Sequence, residues 1–328
     1  MRTFAQPVRA LSARLACASF ALLVCSNAVA QYPVKPVKII VPYGTGGATD
    51  MVARQVGAKL QERWGQGVVI ENRVGAAGNI GTEVVVKSAA DGYTLVMQNS
   101  TMTLNPAIFG KVPFDAEKDL TPVLLLGATP KMLVVHPSLN VGSLKELIDL
   151  ARASPGKLTY ASCGIGTPQH FAGELFKQMA GLDIVHAPYK GCAPAVSDVI
   201  AGQVPIAMLT ASTALPHFKT GRLKGLAVSV RERYRLAPEV PTFEELGFKP
   251  FNVMVWYALM GPAGLPRDVV QKLAADVGAA LNDAALQARL STAGIEEKRG
   301  SAAELGALIR QELVENQRLA RAAGIKAE

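Results

Sequence analysis

Lys38-Ile39-Ile40-Val41-Pro42-Tyr43-Gly44-Thr45-Gly46-Gly47-Ala48-Thr49-Asp50 decides how this chain is read. A β-branched run from Val37 to Val41 stops at Pro42, the glycines break the chain, and apolar residues at three- and four-residue spacing then continue from Thr49 to Trp64. That is strand, tight turn and helix. Glycines in such a turn let backbone N–H groups converge on an anion at the helix N-terminus. A dinucleotide fingerprint would need a third glycine where Thr49 stands, and a P-loop would need Gly-Lys-Ser/Thr, which is absent. The turn is therefore either an anion nest or a strand-to-helix corner that binds nothing.

Outward from it the same alternation repeats. Val68–Glu71, Thr94–Gln98, Leu158–Ser162, Ile184–Pro188, Pro205–Leu209 and Leu226–Val230 have the composition and boundaries of strands. Ile80–Ala89, Leu144–Ala153, Pro168–Ala180 and Ala193–Ala201 have helical spacing. Ser143 with Glu146, Thr242 with Glu245, and Ser301 with Glu304 carry the capping-box spacing of helix starts. Strand, helix, strand implies parallel sheets wound on both faces. From Pro266 to Ala322 the pattern is almost continuously helical, with Leu305, Ile309 and Leu313 on one stripe. Without strands that tail cannot close its own core, so it is expected to pack back on an earlier sheet.

Open α/β sheets offer ligand crevices at the carboxyl ends of their strands. Two more glycine turns fall there. Ser162-Cys163-Gly164-Ile165-Gly166-Thr167-Pro168 ends a strand, with Thr167 placed to cap and Pro168 suited to the first helical position. Tyr189-Lys190-Gly191-Cys192-Ala193-Pro194 follows the next strand.

The 328 residues are 49% hydrophobic and 18% charged, which excludes a disordered or coiled-coil chain and suggests two domains. The formal charge of +8 includes three arginines in the first thirty residues; without them 31 basic residues face 26 acidic ones. No stretch gathers this excess into a basic stripe, so no nucleic-acid partner is expected. Residues 1–30 read as a signal peptide: Arg2, Arg9 and Arg14, an apolar run from Leu15 to Cys25, then Ala28-Val29-Ala30 before a cleavage that leaves Gln31 first. The run is too short to span a bilayer, which takes roughly twenty residues, and Val24 before Cys25 argues against a lipid anchor. The expectation is a soluble, exported protein.

Export leaves only Cys163 and Cys192 in the mature chain, two thiols in an oxidising compartment. A disulfide is the default reading and a pair of free buried thiols the alternative; a bridge would join two candidate ligand loops. Enzyme signatures are missing: no Gly-x-Ser-x-Gly, no His-Glu-x-x-His, no Cys-x-x-Cys. His136, His170, His186 and His217 have no metal-ligand spacing. A Cys163–His170 nucleophilic pair would support a Cys-dependent hydrolase, but a disulfide would consume that thiol. No catalytic residue, metal or cofactor is expected.

Several motifs in one order resemble a known family. They are Lys38 to Tyr43, Gly46 to Asp50, Glu71-Asn72-Arg73-Val74-Gly75-Ala76-Ala77-Gly78-Asn79-Ile80-Gly81, Asp91-Gly92-Tyr93-Thr94, Val134-Val135-His136-Pro137 and Val185-His186-Ala187-Pro188-Tyr189-Lys190-Gly191. Together, from about Tyr32 to Ile325, they resemble the Bug-type extracytoplasmic solute receptors of tripartite tricarboxylate transporters. The resemblance implies a type II periplasmic-binding-protein fold: two doubly wound α/β lobes, joined by two crossover strands, with a ligand cleft between them. Lobe one would be residues 31–128 plus 259–328, and lobe two 129–258. It also implies a monomer that captures a small organic acid and delivers it to a two-subunit integral membrane permease. A ligand-binding receptor of a signalling system would share the site without the permease.

The family grips a ligand carboxylate through loop amides and ordered water. On this chain the resemblance maps the first-lobe loops to Tyr43, Gly44, Thr45, Gly46, Gly47, Ala48, Thr49 and Asp50, to Gly75, Ala76, Ala77, Gly78 and Asn79, and to Asn99 and Ser100. The second lobe would add Gly164, Ile165, Gly166, Thr167, Tyr189, Lys190, Leu209 and Thr210. Lys190 reads equally as a solvated surface lysine. This chain departs from the family in three places. Tyr43-Gly44-Thr45 replaces a common Phe-Pro-Pro, and cysteines replace serines at both 163 and 192, a paired change that favours the bridge. Leu209 stands where many members carry an aspartate able to hold a ligand ammonium, which turns the expected ligand from an amino acid to a simple carboxylate.

Overall fold

Val37, Ile39 and Val41 pack into one core while Ile40 packs into another on the opposite side, and all four are fully buried. A strand covered on both faces is what a continuous β-branched run encodes. This strand is β1 (Val37–Val41). The computed structural model describes residues 32–218, 220–251 and 253–322; the signal-peptide reading of residues 1–30 lies outside them.

Among the described residues ten strands form one continuous sheet. β2 (Val68–Asn72) and β3 (Thr94–Asn99) flank β1 in parallel, β9 (Met254–Pro262) runs antiparallel to β3, and β4 (Leu120–Val135) runs antiparallel to β9. β10 (Glu296–Ser301) pairs with the same half of β4. The sixteen-residue β4 then continues: Lys131–Val135 pairs with β7 (Ile206–Thr210) on one side and Met132–Val135 with β8 (Lys224–Val228) on the other. β5 (Thr159–Ser162) lies parallel to β7, and β6 (Val185–Pro188) parallel to β5. The first lobe is thus ordered β2-β1-β3-β9-β4 and the second β6-β5-β7-β4-β8, the same scheme built twice with β4 shared.

Helices cover both faces of each half. α1 (Ala48–Trp64), α2 (Asn79–Val86) and α3 (Thr101–Phe109) follow β1, β2 and β3 in the first lobe. In the second, α4 (Leu144–Ala153) precedes β5, and α5 (Pro168–Ala180), α6 (Cys192–Ile200) and α7 (Ala211–Phe218) follow β5, β6 and β7. α3 is not confined to the first lobe. Its Leu104 and Ile108 lie in the core that holds Leu133, Phe171, Phe176 and Phe243 of the second.

The tail corrects the reading of near-continuous helix from Pro266 to Ala322. α8 (Arg267–Leu281) and α9 (Ala284–Thr292) end at Gly294, which takes a left-handed φ of 71°. β10 then intervenes before α10 (Ala302–Ala322). Glu296-Glu297-Lys298-Arg299 has no strand composition; its partner β4 makes the strand. The folding back holds: Val269, Leu273 and Val277 of α8 enter one first-lobe core, and Leu305 and Ile309 of α10 enter the other. Ser143 and Ser301 form their capping boxes. The Thr242–Glu245 box also closes, with Glu245 N donating to Thr242 Oγ1 at 3.0 Å, but it braces a turn, not a helix.

Candidate functional site

The three first-lobe loops that leave β1, β2 and β3 are bound together by hydrogen bonds of buried and half-buried side chains. Asp50, in the first turn of α1, accepts from Gly46 N at 3.0 Å, Asn72 Nδ2 at 2.9 Å and Arg54 Nε at 2.9 Å. Burial alone would raise its pKa, but those hydrogen bonds and the Arg54 charge hold the carboxyl below its ordinary value. Asn72 Nδ2 also donates to the Tyr43 carbonyl, tying the end of β2 to the first loop. Tyr43 donates its hydroxyl to Gln98 Oε1 at 2.7 Å, and Gln98 Nε2 donates to Thr82 Oγ1 at 2.8 Å. Asn99 Nδ2 donates to Thr49 Oγ1 at 2.9 Å.

The second loop is sharply bent: Gly75, Ala76, Ala77 and Gly78 all have positive φ. Gly78 is required there, since a Cβ would stand 2.8 Å from the Tyr43 ring. Asn105 of α3 holds the bend by donating to Ala77 O at 3.1 Å and Asn79 Oδ1 at 2.7 Å.

In the second lobe the loops after β5 and β6 are joined covalently by a Cys163–Cys192 disulfide. The alternative of two free thiols is thereby set aside, and with it the nucleophilic Cys163. Gly191 N donates to Cys163 O at 3.0 Å, and Gly164 comes so close to Tyr189 O that a Cβ would sit 2.7 Å away. Thr167 caps α5 as its position predicts, accepting from His170 N. Beneath these loops the His170 and His186 rings stack at 4.4 Å, with His186 also stacked on Tyr160 at 4.8 Å. Ser162 Oγ lies 2.7 Å from His186 Nε2, and Gly166 N donates to His170 Nδ1 at 3.4 Å. Burial, and for His186 also its histidine neighbour, lowers both pKa values, His186 to about 4.

His170, Glu174 and His186 bring three potential ligand atoms within 4.8 Å of one another, a cluster that sequence spacing did not reveal. The geometry does not favour an ion. Lone pairs of stacked imidazoles lie in parallel planes instead of converging, Ser162 occupies one of them, and Lys177 already neutralises Glu174 at 2.9 Å.

Where the lobes meet, a Cβ on Gly166 would stand 2.6 Å from the Phe109 ring and 3.6 Å from the Ala77 methyl. The glycine loop of the second lobe thus abuts the bent loop of the first. Gly44, Thr45 and Ala76 of the first-lobe loops are exposed, as are Ile165 and Lys190 of the second-lobe loops. Thr49, Asp50, Asn79, Asn99 and Ser100 are buried and brace the loops. Leu209 is fully buried in a second-lobe core; Thr210, next to it, ends β7 with its hydroxyl 3.1 Å from Thr213 Oγ1.

The sequence model of the tripartite tricarboxylate transporter family receptor matches residues 52–325. The chain belongs to that receptor family. Protein BugT of Bordetella pertussis is 37% identical over 257 residues, covering 78% of this chain and 79% of BugT. The structure of Rhodopseudomonas palustris Rpa4515 with adipate superposes with a TM-score of 0.85 at 33% identity, covering 90% of this chain and 100% of that one. MatC from Rhodopseudomonas palustris with bound malate superposes at 0.82 with 30% identity, covering 88% and 99%. The family is one of receptors, not enzymes, and the two-lobe fold expected from the motifs is that of the periplasmic binding protein BugD. Among the described residues of this TctC-type receptor no helix is long and apolar enough to cross a membrane.

Proposed function

We propose that this receptor captures a small organic acid, a dicarboxylate in particular, between its lobes in the periplasm and delivers it to a two-subunit tripartite tricarboxylate-type permease. The observation that carries the reading is the meeting of Gly166 with Ala77 and Phe109, which brings glycine loops of both lobes to one place. Amides freed by glycine at the ends of parallel strands suit a carboxylate. The two relatives with adipate and malate, both dicarboxylates, support the ligand class.

In this reading lobe one comprises residues 31–128 and 259–328, lobe two residues 129–258, and the protein acts as a monomer. Gly44, Thr45, Gly47, Ala76 and Ala77 present amides from lobe one; Gly164, Ile165, Thr167, Tyr189 and Thr210 answer from lobe two. An open form meets the anion on lobe one, and closure adds contacts made only when shut, so the ligand shifts the hinge by its differential affinity for the two forms. The apolar seam of Leu104 and Ile108 against the second-lobe core makes α3 the element across which that motion slides.

Isothermal titration of the mature protein against mono-, di- and tricarboxylates tests the reading; no heat from any of them would overturn it. Uptake of the bound acid in a strain lacking this protein tests delivery, and unchanged uptake would favour a signalling role.

A further inference from the structure

We infer that Lys131, the buried amine where β4 passes from one lobe to the other, is the cation that pairs with the second carboxylate of a dicarboxylate ligand. The inference rests on the binding role proposed above and names a residue for its ligand class.

Lys131 lies in β4 at the point where that strand passes from one lobe to the other. It stands opposite Thr210 in the antiparallel ladder, so the two side chains share one face of the sheet. Thr210 is the last residue of β7, at the carboxyl end of a parallel strand, where sheets of this class receive ligands. The backbone of Lys131 is clamped at this edge: its N–H donates to Ser229 Oγ at 2.8 Å, and its carbonyl accepts from Ser229 N at 2.9 Å. Ser229 in turn donates to Val253 O, at the entry to β9, and Ser100 of the first lobe donates to Met254 O. Both crossings and the end of β3 therefore meet around this lysine.

The side chain is fully buried and its Nζ makes no hydrogen bond. A buried, unpaired amine is costly, and an apolar residue of similar length would fill the same space without that cost. Of the groups packed around it, Thr210 from β7, Ser229 beyond β8 and Met254 from β9 do not titrate. The charge acting on it is Glu312 of α10, which is held by Thr103 Oγ1 at 2.7 Å and Trp256 Nε1 at 2.8 Å and whose own carboxyl burial pushes up to about 7. Burial holds Lys131 well below the ordinary lysine value. An arriving carboxylate stabilises the ammonium form, so binding raises the pKa of Nζ and lets it keep its proton to higher pH.

The test titrates succinate and adipate, with butyrate and hexanoate as single-carboxylate controls, into the wild-type protein and Lys131→Met. The wild type is expected to prefer each dicarboxylate over its control. Lys131→Met is expected to lose about thirty-fold or more of dicarboxylate affinity while changing the controls less than about three-fold. Wild-type binding enthalpies measured in buffers of different ionisation heat, between about pH 7 and pH 10, should report net proton uptake with the dicarboxylates alone. That readout needs no variant and stands if Lys131→Met fails to fold. A folded Lys131→Met that keeps the dicarboxylate preference, or a wild type with no such preference or no proton uptake, overturns the inference and leaves carboxylate capture intact. A wild type that binds none of the four acids or any larger carboxylate overturns the binding role itself.

Discussion

The two lobes carry corresponding loops on the same strand order, yet they hold them by different chemistry. In the first lobe the loops after β1, β2 and β3 are locked by neutral and charged side chains: Asp50, Asn72, Tyr43, Gln98 and Asn99. In the second the loops after β5 and β6 are locked by a covalent bond and by a stack of two histidines on a tyrosine. Topology alone therefore does not dictate how a strand-end loop is made rigid. What differs is the condition under which each lock fails: the first lobe depends on an ionised carboxylate, the second on an oxidised disulfide and neutral imidazoles.

Removing the disulfide should break the comparison most visibly. In the loop-closure model a bridge of this span constrains the unfolded chain by about 3 to 4 kcal/mol. Cys163→Ser with Cys192→Ser is expected to lower stability by that amount in denaturant titration, and reductant should do the same to the wild type. Asp50→Ala comes next, at about 2 to 3 kcal/mol, because Gly46 N and Asn72 Nδ2 lose a charged acceptor at a half-buried place. Its loss should be the same with and without reductant. A folded carboxyl held below its ordinary pKa supplies stability above about pH 4 that disappears as pH falls through the folded value, so the Asp50→Ala deficit should shrink in strong acid.

The histidine stack separates the lobes along the pH axis. His186 is lowered to about 4 by burial and by His170, whereas an unfolded histidine takes its proton near 6.5. Between those values the unfolded chain binds more protons, so stability falls as pH drops from about 6.5 to about 4, by on the order of 2 kcal/mol. His186→Gln should flatten the profile in that window and leave the region below about pH 4 to Asp50 and the other carboxylates. An unchanged slope between pH 6.5 and 4 would show that the stack does not control the second-lobe loops.

Much of this contrast was legible in the sequence, and what was not has identifiable causes. The strand-turn-helix corner at Tyr43–Asp50, the glycine turn at Gly164–Thr167 and the cysteine pair are local signals, and the local structure follows them. β4 escaped the strand reading because it is buried on both sides along most of its length, which erases alternation, and because Thr129, Pro130 and Lys131 interrupt its apolar run where it changes lobes. β10 escaped because its charged residues become a strand only by pairing with a segment more than 160 positions earlier. α3 carries Pro106 in its interior, which hides its helical pattern, though its Asn105 braces the Ala77 bend. His170 and His186 belong to α5 and β6, and only the packing of those elements stacks the rings.

The finest distinction concerns Lys190, the exposed cation beside the disulfide-linked loop. No salt bridge ties it down among the described residues, and it lies at the surface, so its replacement should leave the melting temperature unchanged. If it steers or touches the anion, Lys190→Ala weakens dicarboxylate binding about two- to five-fold at low ionic strength. The size of the loss at high salt then identifies the role. At about 0.01 M ionic strength charges act over roughly 30 Å, and at about 1 M over roughly 3 Å. A loss that disappears at high salt means a field acting through solvent, whereas a loss that persists means a contact formed on closure. No loss at either concentration makes Lys190 a solvated surface residue and leaves the second lobe to hold the acid through backbone amides, the role proposed for the first.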